Sequence, residues 1–334
     1  MRRSREPFVP DPEQMALWPA VSGNAINGLD EPDRRPPSRI YWHAPDATPH
    51  GPLQRWFYAR SPNDERLARA RAERQSTIDA PLAPLAPESD ALSADARSAA
   101  VAQIARALGA DDVGIARMRP EWVFEGCSVP QRWVIVIAVA HDFEQIRTAP
   151  DVPAAAEVVR QYGRGNRIAK GVASWLREHG HDAVPHGGPM AGPAVLIPPA
   201  IECGFGELGK HGSLIHRRLG ASFRLAAVFT DAPLVADAPD TFGADDFCTR
   251  CRVCSDACPP AAIADEKRLV RGEHKWYVDF DRCLPYFNEH MGCAICVAVC
   301  PWSLPGVAGS LVEKMARRRA RDEGGAADRG EPAV

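Results

Sequence analysis

Eight of the ten cysteines in this 334-residue chain fall between residues 248 and 300, and their spacing is that of metal-cluster ligands. The first group reads Cys248-x2-Cys251-x2-Cys254-x3-Cys258-Pro259, and the second Cys283-x9-Cys293-x2-Cys296-x3-Cys300-Pro301. A tight C-x2-C-x2-C loop turns three thiolates toward three corners of one iron–sulfur cube. The fourth cysteine, followed by a proline that suits a helix start, points away to a second cube. Crosswise sharing assigns Cys248, Cys251, Cys254 and Cys300 to one 4Fe–4S cluster, and Cys258, Cys283, Cys293 and Cys296 to the other. Zinc would call for CxxC pairs or mixed Cys/His ligands closing one tetrahedral site, and disulfides for an oxidising compartment. Cys127 and Cys203 stand alone, and a lone buried cysteine is usually a small hydrophobe.

Clusters move single electrons, so a fused domain is expected to hold the centre that uses them. The chain has room for one. Its length suggests two domains, and 45% hydrophobic residues supply a core. A net charge of −3 argues against a protein whose main role is to coat nucleic acid or an anionic membrane. The longest apolar run, Trp133 to Ala140, is far short of the roughly 20 residues a membrane-spanning helix needs. The Arg-Arg pair near the start lacks an apolar stretch behind it, so the chain reads as cytoplasmic.

The elements that must position the chemistry begin near residue 93. Residues 1–92 read as a loop-rich arm and linker whose aromatic rings are buried against the body. Within it, DERLARARAER reads as a solvated helix. Val101, Ile104, Ala105 and Leu108 recur with helical period before Gly109, and a second helix is predicted over 165–179. Val113–Ala116, Trp133–Ala140 and Ser222–Phe229 read as strands, with Arg224 and Asp231 as sheet-edge stabilisers. The fold class is therefore α+β. A sheet domain spans 93–240, a two-cluster domain of bacterial ferredoxin type spans 241–305, and 306–334 is a polar tail. No Gly-x-Gly-x-x-Gly run follows a strand, so a dinucleotide site lacks support.

Four further segments carry a family likeness: ALGADDVGIARMRPEWVF (107–124), YGRGNRIAKGVASWLREHGHDAVP (162–185), AIECGFGELGKHGSLI (200–215) and VFTDAPL (228–234). With the cysteine groups they resemble the reductive dehalogenases, whose cousins are the epoxyqueuosine reductases. The resemblance implies a base-off cobalamin in a nitroreductase-like α/β domain, fed by two 4Fe–4S clusters. It also implies a small organohalide as substrate and a separate electron donor such as a ferredoxin, flavodoxin or reductase. Tyr162 falls at the family's proton-donating tyrosine, and a phenol yields its proton readily only where a cation stabilises the phenolate. Lys210 sits at the family's basic position and would be that cation. Gly204, Gly206 and Gly209 would let backbone approach the macrocycle. In His186–Pro193 the family's asparagine is replaced by Gly188, and His186 or His211 would compensate. The alternatives are an electron carrier without corrinoid and an epoxyqueuosine reductase acting on tRNA.

Overall fold

Trp133–Ala140 is apolar at every position because it lies inside a sheet covered on both faces. The computed structural model describes residues 7–188 and 192–327, with the side chains of 322–327 left undescribed. The Arg-Arg start, Pro189–Ala191 of the His186–Pro193 segment and the last seven residues of the tail lie outside the described residues. Strands β1 (Asp112–Arg117), β2 (Trp133–Ala140), β3 (Ala183–Gly187) and β6 (Phe223–Thr230) form one sheet in the order β1-β2-β6-β3, and every pairing is antiparallel. Strands β4 (Gly206–Leu208) and β5 (Leu214–His216) make a separate hairpin between β3 and β6.

Side chains alternate across the sheet. Ile135, Ile137 and Val139 of β2 meet one helical layer, while Val134, Val136 and Ala138 meet a second apolar cluster around Leu196, Ala200, Phe205 and Leu214. Four helices matter here: α1 (Gly51–Ala59), α2 (Glu65–Asp79), α3 (Ala94–Ala107) and α4 (Val152–Glu178). The Ser93 hydroxyl caps α3 by accepting from the Ala96 N–H, and Gly109 turns the chain at φ 101° just beyond the helix end. Helix α4 starts thirteen residues before the predicted 165, because Ala154, Ala156 and Gln161 continue its buried face. Ile168, Val172 and Leu176 then press against the sheet.

The segment before residue 93 is ordered around both halves. Tyr41, Leu53 and Phe57 pack with Leu284 of α5 (Phe280–Glu289), and the Tyr41 hydroxyl donates to Asn288 Oδ1 at 2.7 Å. Helix α2 is more than a solvated helix, since Leu67 and Ala70 are buried. It lies along α4, where a Cβ on Gly163 would meet the Arg74 backbone at 3.2 Å. The cysteine-rich part carries a small hairpin, Arg268–Val270 with Glu273–Lys275. Its apolar cluster of Ile215, Phe242, Trp276 and Trp302 surrounds Cys248 and Cys300. No helix among the described residues is long and apolar enough to cross a membrane.

Candidate functional site

The eight cysteines separate into two sets. Cys300 lies within electrostatic reach of Cys248, Cys254 and Cys251, and Cys283 within reach of Cys258 and Cys293. Cys296 lies within electrostatic reach of Cys283, Cys293 and Cys258, and also of Cys254 of the first set. Burial pushes these thiols up, Cys248 and Cys293 to about 11 and Cys254, Cys283 and Cys300 to about 12. Left alone they would stay protonated. Ferric or ferrous iron supplies the positive charge that makes thiolates stable in such surroundings, so the donor set fits iron–sulfur clusters. Among the described residues no three His, Cys, Asp or Glu side chains converge on a single-ion site, and a cube with its irons at separate corners does not require that. The loop carrying Cys293 is sharply bent, with Met291, Gly292, Cys293 and Ala294 all at positive φ, of 50°, 100°, 51° and 66°. Three of these are not glycine, a local cost that persists only where the surroundings over-determine it.

The second set opens on a cavity of about 700 Å³, lined by Cys258, Cys283, Cys293 and Cys296 on one side and by Tyr162, Arg224, Ser213 and Trp42 on another. An adjoining cavity of about 560 Å³ shares Trp42, Tyr162, Ser213 and Arg224, and continues along Leu196, Ile197, Leu214 and Phe223. Tyr162 projects from α4 at the junction. Gly165, one turn on, allows that closeness, since a Cβ there would stand 3.1 Å from Ala226 of β6. The Arg224 guanidinium lies 5.5 Å from the centroid of the Tyr162 ring, and its Nε, buried, has no hydrogen-bond partner. His141 sits behind it with Nδ1 3.1 Å from Ser222 Oγ, and burial, then the Arg224 charge, holds its pKa well below the usual histidine value. An orphaned guanidinium nitrogen at the meeting point of two largely apolar cavities fits a large ligand with polar substituents, as a corrinoid is.

Several expected site residues lie elsewhere. Lys210 does not line either cavity. Only 1% exposed, it packs over Trp276 with Nζ 5.1 Å from the ring centroid, and its backbone N–H donates to Cys248 Sγ at 3.4 Å. The hairpin around it turns toward the first cysteine set, so the cation beside Tyr162 is Arg224. That residue is no sheet-edge stabiliser, because β6 is an inner strand. Asp231, just past β6, ties the ends of the two inner strands together by accepting from the Arg132 N–H at 3.0 Å.

The glycines of the hairpin line neither cavity either. A Cβ on Gly206 would strike the Ile215 carbonyl at 1.9 Å, one on Gly204 the Ala238 carbonyl at 2.7 Å, and one on Gly209 the His211 ring at 2.7 Å. They let the chain fold on itself, so that the Glu207 carboxylate accepts from the N–H groups of Phe242, Gly243 and Ala244 at 2.8–2.9 Å. This carboxylate caps the short helix that carries Cys248.

His186 lies against Phe229, and the Nδ1 of His211 accepts from the Ser213 N–H at 3.2 Å. Burial holds both at about 4, so neither acts as an acid near neutrality. Their stabilising neutral state is complete above the free imidazole value of about 6.5 and is lost as pH falls toward 4, because the unfolded chain takes up protons first. The urea midpoint is therefore expected to drop between pH 7.5 and 5, and to drop less in His211→Asn.

Sequence reading missed Arg224, Ser213 and Trp42. The signal for Arg224 was available: a lone guanidinium in the strand FRLAAVFT is costly unless something uses it.

Comparison with known proteins bears on the cysteine-rich part and on the fold. The 4Fe-4S dicluster domain family matches residues 247–304. A tetrachloroethene reductive dehalogenase of Desulfitobacterium hafniense is 35% identical over 208 residues, covering 58% of this chain and 37% of that protein. An epoxyqueuosine reductase of Leadbetterella byssophila is 33% identical over 121 residues, covering 31% of this chain and 35% of the relative. In three dimensions the catabolic reductive dehalogenase NpRdhA superposes with a TM-score of 0.72 over 92% of this chain and 46% of that one, at 23% identity, a likeness of fold. The chain spans less than half the length of the dehalogenases it matches. Over 58% of its own residues it is a homologue of the reductive dehalogenases, and over 31%, more distantly, of the epoxyqueuosine reductases, both of them oxidoreductases.

Proposed function

We propose that the chain is a corrinoid- and iron–sulfur-dependent reductase that replaces a halogen on a small organohalide by hydrogen, its sheet domain being nitroreductase-like. The observation that carries this reading is the cavity in which Tyr162 and Arg224 face the second cysteine set. When bound, a corrinoid would supply a low-valent metal able to take halogen from carbon, and the two clusters would supply its electrons singly.

Net reaction consumes two electrons and one proton per halide released. The proton comes from the protein. The Tyr162 hydroxyl would give it to the carbon that loses halogen, with the Arg224 guanidinium over its ring as the neighbouring positive charge. Trp42, Phe57 and Phe287 wall the cavity and exclude water, which strengthens that charge pairing. A cluster held by the first set (Cys248, Cys251, Cys254, Cys300) would take electrons in, and one held by the second set, which borders the cavity, would pass them on. A separate electron donor protein would supply them.

Lys210 then acts on the first cluster rather than on the phenol. A buried cation and an N–H···S bond beside Cys248 favour the reduced, more negative cluster. Lys210→Gln is expected to lower the potential of the first cluster by on the order of 100 mV, taking one charge a few ångströms away at an effective dielectric near 20. Redox titration followed by electron paramagnetic resonance reads this directly, and an unchanged potential would refute it.

The reading is tested by anaerobic reconstitution with iron, sulfide and hydroxocobalamin, followed by halide release from a haloaromatic panel under a strong reductant. Retained cobalt with halide release supports it. Iron retained without cobalt would favour an electron carrier, to which Gly188 in place of a polar side chain also points.

A further inference from the structure

Three of the four cysteines in the second set are placed by their immediate neighbours. Cys293 lies in the bent segment 291–294, Cys296 two residues beyond it, and Cys258 follows the short helix Val253–Ala257. Cys283 is different. It sits on α5, so its position depends on how that helix is docked. Resting on the reading that this set holds a four-iron cluster, we propose that residues 11–41 belong to that metal site, holding α5 so that Cys283 serves as the fourth ligand.

Helix α5 is weakly specified by its own sequence. It has 10 residues and carries Pro285 inside, which removes one ladder hydrogen bond, and so short a helix is marginal without packing. Its two faces are occupied differently. Cys283, Tyr286 and Phe287, with His290 just beyond the helix, recur at helical spacing and line the larger cavity. Leu284, Pro285 and Asn288, on the opposite side, are buried. The segment before residue 93 covers that side, where Tyr41, Leu53 and Phe57 pack on Leu284.

Residues 11–41 grip both ends of the helix. At its start, Asn24 Oδ1 accepts from the Phe280 N–H at 2.8 Å and from the Tyr277 hydroxyl at 2.7 Å, and Asn24 Nδ2 donates to Asp279 Oδ1 at 2.9 Å. The Gly23 N–H donates to Asp281 Oδ1 at 2.8 Å; a Cβ at this position would lie 2.0 Å from the Phe280 ring, so glycine permits the approach. Toward the other end, the fully buried Gln14 donates from Nε2 to the Pro285 carbonyl at 3.2 Å and accepts from Asn288 Nδ2 at 3.4 Å. The Tyr41 hydroxyl donates to the Asn288 carbonyl oxygen at 2.7 Å, and the Asp11 N–H to Glu289 Oε1 at 2.7 Å. The cysteine-rich part itself adds the bond from the Asp279 N–H to the Ala262 carbonyl at 2.8 Å. Directional bonds of this kind, several of them buried, fix one placement of the helix, and groups that orient a ligand are typically worth about 10–100-fold in metal affinity.

The test uses full-length protein reconstituted anaerobically with iron and sulfide alone, so it reads the clusters without corrinoid or organohalide. Iron retained against a chelator is measured, and the reduced protein is followed by electron paramagnetic resonance, in which two neighbouring reduced cubes couple and a single one gives a simple signal. Cys283→Ser and Cys251→Ser supply the signatures of damage to the second and the first set. Gln14→Ala/Asn24→Ala is expected to lose iron from the second cluster at a chelator concentration at least ~10-fold lower than the unsubstituted protein, and then to give the Cys283→Ser spectrum with the first cluster retained. Tyr41→Phe keeps the ring and its packing, and should shift retention the same way by less; it carries the test if the double variant does not fold. Retention equal to the unsubstituted protein in every folded variant, or the Cys251→Ser spectrum, overturns the proposal. Unsubstituted protein that holds a single cluster and is indifferent to Cys283→Ser contradicts the two-cluster reading itself. Two stable clusters in the unsubstituted protein and in all the arm variants remove this inference alone.

Discussion

Replacing Tyr162 by phenylalanine is expected to lower halide release by ~10²–10⁴-fold, the usual contribution of a positioned proton donor. Iron and cobalt content should match the unsubstituted protein. The hydroxyl projects from α4 into the junction of the two cavities, and no described protein group bonds to it in place of substrate. Removing one oxygen leaves the ring packing against Arg224 intact. Loss of turnover with a diminished solvent isotope effect on the residual rate would identify proton delivery as the missing step. Turnover unchanged within twofold would remove Tyr162 from the mechanism.

The second large effect belongs to Arg224. Arg224→Gln is expected to cost ~10²-fold or more in kcat, comparable to deleting one preorganised charge-stabilising donor. Arg224→Lys should recover part of the loss, because it keeps the charge but not the planar fork. The neighbouring His141 is held uncharged, so it does not replace the missing cation. In Arg224→Gln, removal of that charge lets the His141 pKa rise, a change visible by NMR titration. A glutamine variant with full activity would return Arg224 to a structural role.

What could be read from sequence follows from how local each feature is. Cluster ligation is set by short loops, and the partition of Cys248–Cys300 depends on spacings of two, three and nine residues. The apolar run of β2 and the helical periods of α3 and α4 are local as well. Arg224 stood out as a lone charge in an apolar strand, but its place was not legible, because it depends on strand order: β6 lies inside the sheet and abuts α4 only once β1, β2 and β3 are placed. Arg71 and Arg74 looked like solvated charges, since the face of α2 that meets the cavity is chosen by Gly163, almost ninety residues later.

Lys210 and the glycines of the CGFGELG loop were legible as special, and the structure puts them away from both cavities. A hairpin of two three-residue strands turns them toward Cys248 and the cap made by Glu207 rather than toward the sheet. The same geometry gives the chain its logic. One carboxylate, one lysine and three close-packed glycines surround the first cysteine set, while one long helix carries the phenol to the cavity beside the second.

Retained metal is the most direct test of the central claim that two cubes feed a corrinoid beside Tyr162. Anaerobically reconstituted protein, freed of unbound metal, is expected to hold about eight iron and one cobalt per chain, as two four-iron clusters and one corrinoid require. Eight iron with no cobalt, under conditions in which hydroxocobalamin was supplied in excess, would contradict it.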